Sequence, residues 1–168
     1  MSEVKLTKNK FIPFLDTTKG TTTTPSWARI DKSTIFSLNP NPQTESQDYI
    51  CYEAPVEEID HYEPELPQEI ALYQGNSMYD FMFQQFYNLP VGSAATIPAL
   101  ICFAPSTKSG GGTEQLAWSV PKCSVTLGEL NTVDGKLSFT LNLGGDITKG
   151  WYTIESGVPT FATTAPQG

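Results

Sequence analysis

The chain's single histidine, His61, lies in the sequence Asp60-His61-Tyr62-Glu63, where an imidazole and two carboxylates suggest metal binding or acid–base catalysis. Either chemistry needs the three groups to converge. On a β-strand, Asp60 and Glu63 would point to opposite faces, and on a loop nothing would hold them. A metal site also needs several ligands supported by an outer shell of hydrogen bonds. We therefore expect a solvated His61 and no metal ion.

Carboxylates are plentiful, but their setting does not favour glycoside hydrolysis. Such an enzyme holds two acids at a defined separation and raises the pKa of one of them. The acids here are concentrated in residues 39–67, which are interrupted by prolines and lack an apolar wall. No G-x-S-x-G, H-E-x-x-H or Rossmann motif occurs, and Lys108 precedes the glycines at 110–112 instead of following them as in a P-loop. We expect no catalytic residue and no cofactor.

The three cysteines, Cys51, Cys102 and Cys123, form no C-x-x-C pair and are odd in number. We interpret them as free thiols that behave as small hydrophobic residues, and Cys102 in IPALICFA as part of the core. The first residues contain no continuous apolar block typical of a signal peptide. No apolar run approaches the roughly 20 residues that span a bilayer. We therefore expect a protein made in a cytoplasm, with no membrane partner.

Three tryptophans, Trp27, Trp118 and Trp151, could stack on sugar rings, as in small carbohydrate-binding β-sandwich modules. Each of them lies in a strand-like pattern, so burial in the core explains it equally well. A carbohydrate-binding module therefore remains an alternative function.

Charge is distributed unevenly along the chain, whose net charge is -8. Residues 1–32 carry six basic and three acidic side chains, whereas residues 33–107 carry ten acids and no Lys or Arg. A long-range field of this sign repels phosphate and disfavours ordinary DNA binding. The basic first block and the acidic middle block could attract each other, within one chain or between chains.

Most of the chain has the pattern of β-strands. Side chains of 137–143 alternate between apolar and polar, and Asp134-Gly135 predicts a tight turn back onto 124–130. The glycine-rich stretch around 110–112 predicts a hairpin tip. Further strands are predicted at 27–38, 68–73, 97–104, 116–123 and 147–154. The pattern predicts one mainly β domain over residues 1–168, a β-sandwich or β-barrel with one flanking α-helix. Outside these elements we expect an extended N-terminal arm (1–26), a long acidic loop (39–67) and a loose C-terminal tail (155–168).

The helix is predicted over 77–89, with Ser77 as N-cap, Asp80 reaching back to it, and Pro90 ending it. The spacing places polar Gln84, Gln85 and Asn88 opposite one broad apolar face. That face comprises Met78, Tyr79, Met82, Phe83, Phe86 and Leu89. Phe81 is predicted to project among the polar residues, either as a partly exposed aromatic or as a contact with a neighbouring subunit.

The long acidic loop, NPNPQTESQDYICYEAPVEEIDHYEPELP, is either a solvated connection or an arm that reaches another subunit. Fully extended it would reach roughly 90–100 Å, or about half of that as a hairpin. A purely solvated loop would not need the apolar side chains that are scattered through it. These are Tyr49, Ile50, Tyr52, Val56, Ile59, Tyr62 and Leu66.

The order of these parts resembles the major tail proteins of long-tailed, siphovirus-type bacteriophages, the subunits of the tail tube. No single motif carries the resemblance, which rests on an ordered combination spread over most of the chain. Its parts are the polar N-terminal arm, WARIDKSTIFSLNPNPQTESQDYI, YEPELPQEIALYQGN, the helix at 77–89 and NTVDGKLSFTLNLGGDITKGWYTI.

The resemblance implies a non-enzymatic virion protein that is assembled in the bacterial cytoplasm and resides in the phage tail. Its copies would form hexameric rings, and stacked rings would form a tube that conducts DNA into the host without binding it specifically. The tape measure protein, the distal tail protein and the tail terminator would be further partners. A tube protein related to that of the type VI secretion system is the close alternative. Strand order is not evident from the sequence, so the residues that line the lumen cannot be named.

Contacts between copies are expected to use the long acidic loop, the basic N-terminal residues and the helix. Head-to-tail contacts require two different, complementary surfaces on each subunit, and the opposite charges of the first two blocks meet that need. The candidate interface residues are Lys5, Lys8, Lys10, Tyr49, Ile50, Tyr52, Val56, Glu57, Glu58, Ile59, Asp60, Tyr62, Glu63 and Phe81.

Overall fold

The computed structural model describes residues 3–166 and consists mainly of antiparallel β-strands, with one α-helix in that part of the chain. Short 3-10 helices occur at Lys8–Lys10 and Gly92–Ala95. The elements in chain order are β1 (Ile12–Asp16), β2 (Trp27–Arg29), β3 (Pro42–Gln47), β4 (Val56–Tyr62), β5 (Glu65–Ala71), α1 (Ser77–Asn88), β6 (Ala99–Cys102), β7 (Ser106–Thr107), β8 (Thr113–Glu114), β9 (Leu116–Val120), β10 (Ser124–Asn131), β11 (Lys136–Asn142), β12 (Thr148–Glu155) and β13 (Val158–Ala162).

Two sheets form the body of the fold. A six-stranded sheet has the order β13-β12-β9-β6-β1-β2, and a three-stranded sheet has the order β10-β11-β5. The β-structure curls into a half-barrel. This architecture confirms the prediction of a mainly β fold with one flanking α-helix. Among residues 3–166, no helix has the length and apolar character needed to cross a membrane.

The main core contains residues from both sheets and from the helix. In β11, Leu137, Phe139 and Leu141 are buried while the residues between them are less so, which confirms the predicted alternation. Leu137 lies opposite Ile70 of β5, and Leu141 lies opposite Leu66. Burial of each such side chain stabilises the fold by about 1.5–3 kcal/mol. The predicted hairpin of β10 and β11 is present, with the turn at Asp134-Gly135.

A second, smaller core lies on the opposite face of the six-stranded sheet. It contains Phe14, Leu100, Cys102, Ala117 and Tyr152. All four residues of β6 are buried, which explains why this strand is continuously apolar instead of alternating. Cys102 is therefore a core residue, as predicted.

The predictions for the two chain ends are wrong in part. Ile12–Asp16, which we assigned to an extended arm, forms a buried strand between β2 and β6. Val158–Ala162, which we assigned to a loose tail, pairs with β12 as an edge strand. Ile12–Asp16 pairs with β6, which is distant in sequence, whereas Val158–Ala162 folds back on β12 across the short turn at Ser156-Gly157. Residues 1, 2, 167 and 168 of the predicted arm and tail lie outside the described residues.

The helix is present, but its N-cap and its buried face differ from the prediction. The N-cap is Asn76, whose side chain accepts a hydrogen bond from the Tyr79 N–H at 3.0 Å. Asp80 reaches back to the Gly75 N–H at 3.4 Å. Leu89 ends the helix in a left-handed conformation before Pro90.

The buried face of α1 is rotated relative to the predicted one. Met78, Met82 and Gln85 are buried, Phe81 packs against the main core, and Phe83 is exposed. Residues 78, 81, 82 and 85 follow the i, i+3, i+4, i+7 spacing of a core-facing stripe. Phe81 is therefore partly exposed, as one predicted alternative had it, but it lies against the core and not among the exposed polar residues.

Candidate subunit interface

Most of the predicted acidic loop is a β-hairpin. Strands β3 and β4 pair antiparallel, with Pro42 opposite Tyr62 and Gln47 opposite Val56. The register shifts between Gln43 and Thr44. We call β3, β4 and the connecting residues 48–55 the hairpin arm. The backbone of Asn39 and Glu65 exchanges two hydrogen bonds at the base, at 2.9 and 2.8 Å, which anchors the arm to the body.

The hairpin arm projects from the body instead of packing on it. Every residue of β4 is exposed, and so is every residue of the tip, 48–55. In the described part of the chain, β3 and β4 form a separate sheet of two strands, so the outer edge of each is unpaired. A two-stranded hairpin is marginally stable by itself in water, and open edges readily accept another chain. The arm therefore has the form of a segment that is completed by a partner.

Six of the seven predicted apolar anchors are exposed on the hairpin arm, and the seventh was assigned wrongly. Leu66 is fully buried in β5, because it belongs to the inward face of the three-stranded sheet. Ile50 at the tip is fully exposed. The exposed anchors are Tyr49, Ile50, Tyr52, Val56, Ile59 and Tyr62. Six such side chains on a 21-residue hairpin give another chain apolar groups to cover.

The tip of the hairpin arm has some local order of its own. The rings of Tyr49 and Tyr52 meet edge to face with 6.3 Å between their centroids. The Tyr49 hydroxyl donates to Glu58 Oε1 at 3.2 Å, and this bond to a carboxylate raises the pKa of Tyr49. The Tyr52 side chain is 58% exposed. The predicted interface acids Glu57, Glu58 and Asp60 on β4, with Glu63 just beyond it, are all exposed.

His61 and its two carboxylate neighbours converge, contrary to our expectation from the sequence. Nδ1 of His61 lies 2.6 Å from Asp60 Oδ2, and Nε2 lies 3.1 Å from Glu63 Oε1. The hydrogen bonds to Asp60 and then Glu63 raise the pKa of His61, although partial desolvation acts in the opposite direction. All three side chains remain exposed, and within residues 3–166 no group of three or more His, Cys, Asp or Glu side chains has the geometry of a metal site. When His61 is protonated, the cluster therefore forms two ion pairs at the base of the arm.

One of the basic N-terminal residues, Lys8, borders a cleft that the sequence did not reveal. Lys5, Lys8 and Lys10 are all exposed, and Lys8 and Lys10 belong to the first 3-10 helix. The cleft has a volume of about 270 Å³ and contains the ring pair Phe11–Phe36, whose centroids are 5.7 Å apart. We call it the basic cleft. Its wall includes Lys8, Phe11, Arg29, Ile35, Phe36 and Gln68. The excess of basic residues in 1–32 was the only sequence signal for a basic surface here. The sequence did not show that residues near β1, β2 and β5 meet to form a cleft.

The remaining sequence candidates lie elsewhere. Phe81 is half-buried against its own core, which weakens its candidacy as a contact between subunits. The three tryptophans are half-buried. Trp118 packs edge to face on Phe103 at 5.0 Å, and Trp151 donates from Nε1 to Glu114 Oε2 at 3.1 Å. None of the three is exposed in the manner of a sugar-binding platform.

Comparisons with known proteins relate the fold to structures of contractile injection systems. No family model matches the chain, and no curated protein matches it. A chain in the structure of the PVC sheath/tube terminator in its extended state is similar with a TM-score of 0.51 and 10% identity, covering 89% of this chain and 99% of that one. A chain in the structure of the anti-feeding prophage tube-terminating cap has a TM-score of 0.50 and 12% identity, covering 90% and 94%. At these identities the similarity shows a shared fold.

Proposed function

We propose that this chain is a structural subunit of a phage tail or tail-like particle, whose copies form stacked rings that build a tube. The single observation that carries the proposal is the hairpin arm. It is exposed along its length, leaves both strand edges unpaired within residues 3–166, and carries six exposed apolar side chains. Such an element is stabilised when another chain covers it.

The charge of the arm supports a contact between different surfaces of identical chains. Residues 42–62 contain six acids and no Lys or Arg. The N-terminal block of the same chain presents exposed Lys5, Lys8 and Lys10. Two like-charged arms would repel each other, whereas an arm and a basic surface would attract. This favours a heterologous contact, which generates a ring when the rotation closes and a filament when it does not.

The fold similarity supports the same proposal. The two similar chains belong to structures of a sheath/tube terminator and of a tube-terminating cap, and each match covers at least 89% of both chains. The net charge of -8 also suits a conduit for DNA, because negative walls repel phosphate. On this proposal the protein resides in the tail and binds other tail proteins, among them a tape measure protein, a distal tail protein and a tail terminator.

A terminal subunit that closes a tube is the second candidate function. It is favoured by the similarity to chains in structures of a sheath/tube terminator and of a tube-terminating cap. A terminal subunit would form one ring and stop, whereas a tube subunit would stack further. A type VI-like tube protein would also stack, and would differ in the particle to which it belongs.

Electron microscopy of the purified full chain tests the proposal directly, together with sedimentation over a range of concentrations. We expect rings or tubes, with tubes supporting the first candidate and single rings the second. The informative variant replaces residues 44–60 by Asn-Gly, which retains the pair Gln43 and His61 and closes it with a two-residue turn. Because the removed residues contribute nothing to either core, circular dichroism and the thermal unfolding midpoint should barely change.

We expect this shortened variant to remain monomeric under conditions in which the full chain assembles. Rings or tubes formed equally well without the arm would overturn the proposal that the arm joins the copies. The proposal of a ring-forming subunit would be overturned if the full chain stayed monomeric at every concentration, including after tail-tip or tape measure proteins were added.

A further inference from the structure

We infer that the basic cleft of one copy receives the tip of the hairpin arm of a second copy, with the Tyr52 side chain entering the cleft. The inference rests on the proposed function and deepens it by naming the surface that accepts the arm. The arm is acidic, and its tip carries aromatic and aliphatic side chains. The cleft offers cations that can pair with the acids and aromatic and aliphatic side chains that can contact the tip.

The basic cleft is lined by both apolar and polar side chains, and two of the polar ones are cations. Phe11, Ile35 and Phe36 provide the apolar walls, and Ile35 is 40% exposed. Lys8 and Arg29 are exposed at the rim. The cleft also contains Asp31, whose Oδ1 already accepts a hydrogen bond from Asn76 Nδ2 at 3.0 Å. The side chains that are free to meet an incoming carboxylate are therefore the lysine and the arginine.

A buried polar group at the wall of the cleft lacks a hydrogen-bond partner. Gln68 is 1% exposed, and its Nε2 donates to the carbonyl oxygen of Pro67 at 2.7 Å. Its Oε1 has no partner among the described residues. An unpaired buried acceptor is unfavourable, so an incoming group that brings a hydrogen-bond donor gains more here than at an ordinary surface.

Tyr52 has the properties that the cleft would select. Its ring suits the aromatic walls, and its phenol can donate a hydrogen bond to the oxygen of Gln68. Tyr49 is the less suitable neighbour because its hydroxyl is already engaged by Glu58. Asp48 and Glu53 belong to the tip and can approach Lys8 and Arg29 as Tyr52 enters. A small apolar molecule would fit the walls but would leave the cations of the rim unused.

Cross-linking through the native thiol of the tip tests the docking. Cys51 is exposed beside Tyr52, whereas burial raises the pKa of the Cys102 and Cys123 thiols to about 12, so these two stay unreactive at neutral pH. Asn9→Cys places a second accessible thiol at the cleft. With diamide as oxidant, we expect this variant to form covalent dimers and longer ladders on a non-reducing gel. The native chain and Val133→Cys, a matched exposed thiol away from the cleft, should form far fewer.

Substitutions test the chemistry of the contact. Tyr52→Phe keeps the ring and removes the donor, and should raise the concentration needed for assembly on the order of tenfold. Tyr87→Phe, at a tyrosine that is 74% exposed on α1, is the matched control and should change nothing. Gln68→Leu should weaken assembly while the monomer becomes no less stable, because the substitution removes an unpaired buried oxygen. A merely structural role for Gln68 would instead lower both together.

The outcomes separate this inference from the proposed function. Rings or tubes without enhanced cross-linking of Asn9→Cys would overturn the docking and leave the ring-forming function standing. Cross-linked ladders without rings or tubes would support the docking and overturn the tube. A cross-link confined to the monomer band would overturn the inference, because the arm would then occupy the cleft of its own chain.

Discussion

Lys19 donates a hydrogen bond from Nζ to the side-chain oxygen Oε1 of Gln85 at 3.1 Å. The same ammonium group donates to the carbonyl oxygen of Ala94. Gln85 is 8% exposed on the inward face of α1, and Lys19 lies in the loop between β1 and β2. This contact joins the loop after β1 to the helix and explains how Gln85, which we predicted to lie on the polar face, is buried with its side-chain oxygen paired.

We predict that Gln85→Ala lowers the free energy of unfolding by about 1–2 kcal/mol. The substitution removes the side-chain oxygen that accepts a hydrogen bond from Lys19 Nζ, so the lysine loses one of its two partners. The neighbouring Gln84 is exposed, and Gln84→Ala should change stability by less than about 0.5 kcal/mol. Urea unfolding followed by circular dichroism measures both values. Equal effects of the two substitutions would contradict the structural role of the Lys19–Gln85 contact.

Asp16→Ala is predicted to destabilise the protein by roughly 2–4 kcal/mol, because the carboxylate organises the loop after β1 from a buried position. It is 2% exposed and accepts hydrogen bonds from the N–H and hydroxyl of Thr18, at 2.9 and 2.7 Å. The N–H of Ser26 at 3.0 Å and that of Gly20 at 3.3 Å also donate to it. Thermal unfolding checks the prediction, and Asp146→Asn at an exposed site should show almost no change.

The pH dependence of stability should report the same carboxylate. Burial acts to raise the pKa of Asp16, but the hydrogen bonds from Thr18, Ser26 and Gly20 outweigh it and hold the pKa below its usual value of 3.8. The ionised Asp16 therefore contributes to the free energy of unfolding above the pKa that it has in the unfolded chain. This contribution is lost as the pH falls through its lower pKa in the folded protein. Asp16→Asn should therefore flatten the loss of stability below about pH 4. An unchanged acid limb in this variant would contradict the assignment.

His61 is predicted to titrate above its usual pKa of 6.5, because Asp60 and Glu63 hydrogen-bond to its two ring nitrogens. Because the pKa of His61 is higher in the folded protein, the protonated imidazole stabilises the fold below the pKa that it has in the unfolded chain. This stabilisation is lost as the pH rises through the pKa of the folded protein. The imidazole signal is unambiguous by NMR, since the chain has one histidine. Asp60→Asn should lower the midpoint more than Glu63→Gln, and a native midpoint at or below 6.5 would be inconsistent with the cluster.

Gly150→Ala is predicted to displace the edge strand β13. A Cβ at this position would lie 2.3 Å from the backbone oxygen of Ala162 and within 3 Å of the Phe161 ring, so the strand itself would have to move. We expect amide hydrogen exchange to increase at 158–162 and a loss of stability of about 1–3 kcal/mol. Gly145→Ala has open space around the new Cβ but a φ of +99°, which controls for backbone strain without a steric clash. Unchanged exchange in β13 would contradict the close approach.

Much of the fold could be predicted from local patterns. The alternation of 137–143 and the turn at Asp134-Gly135 predicted β10–β11 correctly, because a half-buried strand requires period-two sequence and a tight turn requires glycine. The helix was predicted for similar reasons. Its buried face was not, because several aromatic residues surround the helix and only packing against the sheets determines which of them are covered.

The candidate interface was predicted in composition but not in form. The anchors Tyr49, Ile50, Tyr52 and Ile59 were identified from the sequence and are exposed. The pairing of β3 with β4 was not, since proline-interrupted acidic segments carry little strand signal. The basic cleft could not be predicted at all, because Lys8, Arg29 and Gln68 meet there only after β1, β2 and β5 have packed.

By itself, the sequence determined the strand-rich fold class and the existence of the helix. It also determined the uneven distribution of charge and the apolar side chains within the acidic segment 39–67. Each of these depends only on residues that are close together in the chain. Tertiary structure decided that Ile12–Asp16 is a core strand, that the acidic segment is a free-standing hairpin, and that the convergence of Asp60, His61 and Glu63 is real. It also decided which face of α1 is buried and where a basic, aromatic-lined cleft forms. The core strand, the buried face of α1 and the cleft depend on contacts between residues that are distant in the chain. The hairpin and the histidine cluster depend on nearby residues, but on strand pairing and side-chain orientation that no periodic pattern in the sequence indicates.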